Sequence, residues 1–233
     1  MTASEVKRAL QEKASPLRAA GTVRFFKTGP GQYGEGDVFI GVSAPTVRAI
    51  ARGFRGLPFG EIEALLQSAI HEERQIALIL LVHRYAKADR AGQKAAYEFY
   101  LENLGRVNNW NLVDLSAPAI VGAHLLDKNR KILDRLVKSK VLWERRIAIV
   151  ATQHFIRNDE FGDTIKLSQA LLKDPEDLIH KAAGWMLREV GDRDATVLAA
   201  FLNKYASQMP RTMLRYAIEK MDGGTRRMYL GKR

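Results

Sequence analysis

Cysteine is absent from this chain. That excludes disulfides, thiolate nucleophiles and cysteine metal ligands, and it fits an intracellular, cytoplasmic protein. Long hydrophobic runs are absent too. No apolar stretch approaches the roughly 20 residues that a membrane-crossing helix needs. The segment Met1-Thr-Ala-Ser-Glu-Val-Lys7 lacks the apolar core of a signal peptide. No membrane partner is therefore expected. Alternating β-branched residues are rare, which argues against a sheet. His71, His83, His124, His154 and His180 show no metal-ligand spacing, and there is no Ser-His-Asp elbow. Neither a metal nor a cofactor is expected. The Gly-rich stretch 29–36 lacks the Gly-Lys-Ser/Thr ending of a phosphate-binding loop and reads as a mobile loop.

What is present is positive charge. Lys and Arg number 37 against 26 Asp and Glu, a net charge of +11 over 233 residues. Such a surplus points to a polyanion, nucleic acid above all, rather than to solubility alone. Hydrophobic residues make up 46% of the chain, ample for a core.

Nearly everything after residue 43 carries apolar residues at spacings of three and four, the pattern of helices. The expected helices cover 44–55, 60–69, 72–87, 91–104, 108–126, 129–139, 143–157, 161–173, 177–190, 194–206 and 210–221. Ser43-Ala-Pro45 and Asp174-Pro175 read as helix starts capped by Ser43 and Asp174. Residues 1–222 are expected as a single helical repeat domain. Residues 223–233 are expected as a loose basic tail that adds nonspecific attraction for DNA.

A loose repeat runs through these helices. His71-Glu-Glu-Arg-Gln-Ile-Ala-Leu78, Trp143-Glu-Arg-Arg-Ile-Ala-Ile149, Leu178-Ile-His-Lys-Ala-Ala-Gly184 and Pro210-Arg-Thr-Met-Leu-Arg-Tyr-Ala217 each put charge in a first turn and small or aliphatic residues after it. The period of roughly 30 to 37 residues, helix pair by helix pair, is that of an α-solenoid of HEAT-like type with a concave basic face. Arg74, Arg146, Lys181 and Arg211 recur near the start of successive second helices. A row of cations with helix N-termini suits a phosphate backbone. The alternative is a solvated face with local ion pairs to Glu72, Glu73 and Glu144.

Trp110 and Asp114 lie one turn apart on one helix face. Asp114 interrupts the apolar series Leu112, Val113, Leu115, so it is solvated, paired or lines a cleft. An aromatic ring beside a carboxylate in a basic chain suits something planar and cationic; a half-buried Trp with a surface Asp is the plainer reading. Trp143 precedes Arg146 by three residues and Trp185 precedes Arg188 by three, again on shared faces. Trp143 fits a core position as well as a site.

These residues carry a resemblance. Trp110-Asn-Leu-Val-Asp114-Leu-Ser-Ala-Pro118, Leu142-Trp-Glu-Arg-Arg146-Ile-Ala148, Lys181-Ala-Ala-Gly-Trp185-Met-Leu-Arg188-Glu189 and Phe39-Ile-Gly-Val-Ser-Ala-Pro-Thr-Val-Arg48 are together similar to the AlkD-like family of HEAT-repeat DNA alkylation repair glycosylases, over about residues 5 to 221. The resemblance implies that Trp110 and Trp185 contact the lesion nucleotide. It implies that Asp114 is the catalytic carboxylate and that Arg146 binds backbone phosphate. The family's third aromatic, a Tyr, falls on Phe25, which keeps the stacking surface and loses the hydroxyl. Tyr33, in a longer connection, could replace that hydroxyl. A family Gln is replaced by Ser43.

The expectation is a monofunctional glycosylase, acting as a monomer on double-stranded DNA containing alkylated purines, with no obligate protein partner. Asp114 would be catalytic. Trp110, Trp185 and Phe25 would contact the lesion, and Arg146, Arg74, Lys181, Arg188 and Arg211 would bind phosphate. The rivals are a catalytically silent HEAT-like binder of DNA structure and a protein-binding scaffold. Retention of the Trp110/Asp114 pair favours the enzyme.

Overall fold

The computed structural model describes residues 1–231. Lys232 and Arg233, the end of the expected tail, lie outside the described residues. The order is α1 (Ala3–Gln11), α2 (Pro16–Phe25), α3 (Ala44–Gly53), α4 (Phe59–Leu66), α5 (His71–Lys87), α6 (Arg90–Glu102), α7 (Trp110–Ala117), α8 (Ala123–Leu125), α9 (Lys131–Leu136), α10 (Leu142–Ala151), α11 (Gln153–Ile156), α12 (Gly162–Ala170), α13 (Asp177–Arg193), α14 (Ala195–Tyr205), α15 (Arg211–Ala217) and α16 (Gly223–Gly231). Among the described residues there is no strand, only an isolated parallel bridge between Val38 and Ile70. The fold class is all-α, built of HEAT-like helical repeats of the solenoid kind. No described helix is long and apolar enough to cross a membrane.

The chain groups into two compact units, Met1–Ser116 and Ala117 onward. In the first, α5 is the central helix and packs against α3, α4 and α6, with α1 closing over α3 and α4. Its core includes Val6, Leu10, Leu65, Ile76, Leu80 and Tyr100, all fully buried. In the second, α13 is central and packs against α10, α12, α14 and α15. Ile147, Phe155, Ile179, Met186, Leu202 and Leu214 form its core.

Local signals explain the helix starts. Thr2 and Glu5 form a capping box at α1. Ser15 and Ser43 cap α2 and α3, each followed by a Pro in the first turn. The stretch expected as one helix over 108–126 is broken in the middle. Pro118 has no N–H to donate, and residues Pro118–Gly122 widen into a π-helical turn. The expected loose tail is instead a helix, α16, with Tyr229 buried. Arg211 ties down its end by donating to the Leu230 carbonyl at 2.8 Å.

The repeat has a physical core that the pattern of charges only hinted at. Ser68 Oγ and Ser139 Oγ each accept the backbone N–H two residues on, Ile70 and Val141, at 3.0 Å. The Arg six residues on, Arg74 or Arg145, then donates Nη1 back to the Ser carbonyl at 2.9 Å. The third copy uses other residues for the same bonds. Asp174 Oδ1 accepts from Glu176 N at 2.9 Å, and His180 Nε2 donates to the Asp174 carbonyl at 2.6 Å. Asp174 therefore shapes the turn before α13 and holds Arg145 Nε at 2.6 Å, rather than capping the helix itself. This alignment makes Arg74 the counterpart of Arg145, not of Arg146.

Candidate active site

The site in the first unit begins with the turn that starts α7. Asn109 Nδ2 donates to Asp37 Oδ2 at 2.8 Å, and Asn111 Nδ2 lies 2.8 Å from His71 Nε2. His71 Nδ1 lies 3.1 Å from Asp37 Oδ2. With Asn111 donating to Nε2, the imidazole proton sits on Nδ1 and goes to Asp37. Both neighbours of Trp110 are thus held by one Asp37–His71 pair. Arg74 completes the cluster through an ion pair with Asp37. Burial pushes the Asp37 carboxyl up. The hydrogen bond from His71, the charge of Arg74 and the Asn109 amide outweigh it, so the group titrates below its ordinary value.

A column of rings stands on this cluster. His71 stacks on Phe39 at 4.5 Å, Phe39 on Phe26 at 4.9 Å, and Phe26 on Trp110 at 5.2 Å. Phe25 meets Trp110 edge-on at 5.9 Å and is 66% exposed, an unusual state for so large an apolar ring. Tyr33 donates its hydroxyl to the Phe25 carbonyl at 3.4 Å. The connection that carries Tyr33 is closed by internal bonds, among them Gly31 N to Glu35 Oε2 at 2.9 Å.

Backbone geometry fixes the segment below. Glu72 accepts from the N–H groups of Ile40, Gly41 and Val42 at 3.2, 2.8 and 3.2 Å. Gly41 has φ of 79°, and a Cβ there would lie 2.2 Å from the Ser15 carbonyl oxygen, so only glycine fits. Ser43 directs its hydroxyl to Thr46 of its own helix.

Asp114 is half-buried one turn after Trp110. Beneath it Tyr100 is fully buried with its hydroxyl 3.0 Å from Ser116 Oγ. Burial raises the Tyr100 pKa and the Asp114 charge raises it further, so the phenol stays neutral. Among the described residues no three His, Asp or Glu side chains gather as a metal site requires.

In the second unit Trp185 is half-buried on α13, and its indole N–H donates to Glu189 Oε1 at 3.0 Å. Gly184 beside it lets α15 come close, since a Cβ there would lie 2.4 Å from the Met213 carbonyl oxygen. Trp143 is buried and belongs to the core. Arg146 is only 5% exposed and donates Nη1 to the Leu178 carbonyl at 2.6 Å, which joins α10 to the first turn of α13. Lys181 pairs with Asp177 at 2.8 Å and keeps 40% of its side chain exposed. Arg188 pairs with Glu219.

The expected row of four cations changes register. Arg74 is 2% exposed, and its guanidinium holds Asp37 and the carbonyls of Ser68 and Ala69. A buried, paired guanidinium is a structural group, and Arg74 is not available to a phosphate. By the repeated turn, Arg146 and Lys181 are counterparts of Gln75, while Arg211, like His71, is the first residue of its helix. Sequence reading missed Asp37, His71, Asn109 and Asn111 as site-forming residues. Asp37 lies in a Gly-rich stretch without periodicity, so no local signal marked it.

Residues 6–221 match the family described as DNA alkylation repair enzyme. This chain belongs to that family. A solved structure described as a predicted DNA alkylation repair enzyme from Enterococcus faecalis superposes with a TM-score of 0.71, covering 91% of this chain and 98% of its own at 19% identity. At that identity the likeness speaks for the fold. No curated protein matches the chain. Membership of a DNA alkylation repair family implies an enzyme that acts on DNA.

Proposed function

We propose that the chain is a monofunctional DNA glycosylase that removes cationic N3- or N7-alkylated purines from duplex DNA. The observation that carries this reading is the exposed Phe25 set against Trp110, with the Asp114 carboxylate one turn away, in a chain of net charge +11. A cationic ring is attracted to aromatic faces and to a carboxylate together. A polyanion alone gives no reason for a carboxylate there.

The chemistry follows from the substrate. Alkylation leaves the base positively charged. The C1′–N bond breaks with its electron pair going to the base, which departs neutral and needs no general acid. The sugar gains oxocarbenium character, which Asp114 stabilises by charge. A water adds its oxygen to C1′ and gives up a proton, with Asp114 orienting it. Trp185 supplies a second aromatic contact. Lys181, Arg188 and Arg211 serve the phosphates; Arg146, buried at the α10–α13 junction, holds the helix that carries Lys181. Without an activated lysine in this scheme, no strand cleavage accompanies base release.

The test is chromatographic measurement of bases freed from methylated duplex DNA. Release of 7-methylguanine or 3-methyladenine, with intact uracil-containing duplex, is expected. Efficient uracil release would overturn the cationic-lesion mechanism. Tight DNA binding without any release would make the chain a silent binder of DNA structure.

A further inference from the structure

The first unit carries a second cationic surface away from the aromatic column. Arg48, Arg52 and Arg55 follow one another at spacings of four and three, so they line one side of α3 and the turn after it. They face the second half of α5. A hollow of about 80 Å³ lies between them, lined by Arg48, Arg52, Arg55, Ile79 and His83 among others. It adjoins an open cleft of about 310 Å³ lined by Arg55, His83, Arg84, Lys87 and Ala88. Neither is lined by an Asp or Glu. Among the described residues Arg48, Arg52, Arg55 and Lys87 make no ion pair. This sets them apart from Lys7, Arg130, Arg145, Arg188 and Lys220, each of which has a carboxylate partner.

Helix dipoles account for part of this surface. Arg52 lies in the last turn of α3, and Arg84 and Lys87 in the last turn of α5, where cations are favoured. They do not account for Arg48 and His83, which lie further back in their helices. Nor do they account for like charges stacked at spacings of four and three, which repel. Arg84 is fixed as a wall of the cleft: Nη2 donates to the Leu57 carbonyl at 2.8 Å, and the guanidinium lies 4.5 Å from the Phe59 ring centroid.

We infer that this groove between α3 and α5 is a second track for the DNA backbone, engaging phosphates about five base pairs from the lesion. The inference rests on the proposed action on DNA and extends it. The four steps from Arg48 to Arg52 advance about 6 Å along α3, over which one strand carries about two phosphates, and Arg55 follows in the turn after the helix. The distance from the lesion comes from α5 itself. His71, under the aromatic column, and His83, in the groove, are twelve residues apart, or about 18 Å, which is about five steps of the duplex.

The test uses the whole chain and duplexes with a central tetrahydrofuran abasic analogue, flanked on each side by either three or ten base pairs. Binding is followed by fluorescence anisotropy across a salt series. The triple variant Arg48→Gln, Arg52→Gln, Arg55→Gln changes exposed residues only, and its melting temperature should equal that of the unaltered chain. On the long duplex its salt slope should be shallower by about two to three units. On the short duplex the slope should not change, and release of 7-methylguanine from methylated duplex DNA at saturating concentration should stay the same. An unchanged slope on the long duplex overturns the inference, as does an equal loss on both lengths. Loss of binding to phosphatidylserine vesicles or inorganic phosphate with the duplex slope intact assigns the groove to another anion and overturns it too. If the unaltered chain binds no duplex at all, the action on DNA fails first and the groove falls with it.

Discussion

The Trp110 and Phe26 rings lie nearly parallel, 13° between planes and 5.2 Å between centroids. One face of the indole is therefore occupied by a buried ring, and Phe25 alone offers exposed aromatic surface beside it. The two adjacent phenylalanines have opposite duties. Phe25→Ala should lower excision of 7-methylguanine by about tenfold, the scale of one lost cation–π contact, with the melting temperature unchanged. Phe26→Ala should destabilise the chain by about 3 kcal/mol through the hole left in the column. Equal losses of stability in both variants would show that Phe25 is a packing residue.

Asp114→Asn keeps the shape of the side chain and removes its charge. Base release should fall by orders of magnitude. Affinity for duplex DNA should hold or rise, because a repulsive charge beside the polyanion is gone. Near-normal release by this variant would remove Asp114 from the mechanism.

Asp37 makes stability depend on pH. Its folded pKa lies below the ordinary 3.8. The stabilisation is therefore fully present above that value and is lost as the pH falls through the folded one. Asp37→Asn leaves Arg74 buried without its counter-charge, a loss of about 3 kcal/mol at neutral pH. Urea titrations of both proteins at pH 7 and near pH 3 should show a wide gap that narrows in acid. A gap of the same size at both values would mean that the carboxylate charge contributes nothing.

Arg74 and Lys181 separate structural from phosphate-binding cations. Arg74→Ala should lower the melting temperature, since it strands Asp37 in the interior. Lys181→Ala should leave folding intact and make the salt slope of DNA binding shallower by about one unit. A Lys181 variant with an unchanged slope would take that residue off the backbone.

How much of this was legible beforehand depended on locality. The Ser43-Ala-Pro45 start and the helices α3 to α6 and α9 to α15 follow from near-neighbour signals, and they stand close to where the pattern put them. Thr2-Ala-Ser-Glu5 carried an equally local capping signature that went unread, so α1 was not foreseen. The π turn at Pro118 was visible as a proline, but the apolar period ran through it unbroken. The cation row slipped by one position because Arg145 and Arg146 are adjacent, both buried, and composition does not say which one takes the place of Arg74. Only the Ser139–Arg145 bond settles that. Asp37 was invisible for another reason: its partners lie 34, 37 and 72 residues away.

Those separations have a consequence for the order in which the molecule is made. A chain growing from its N-terminus exposes Asp37 long before Asn109 exists to receive it. Until α7 arrives, the carboxylate has only His71 and Arg74 as partners, and the aromatic column has no top. Closing so long a loop is slow compared with forming the local helices, so the first turn of α7 docks late. When it docks, Trp110 and Asp114 come into place together with the last polar bond of the interior. The chemistry of this unit is therefore not an ornament on a finished scaffold. Completing the scaffold and arming the site are one folding event.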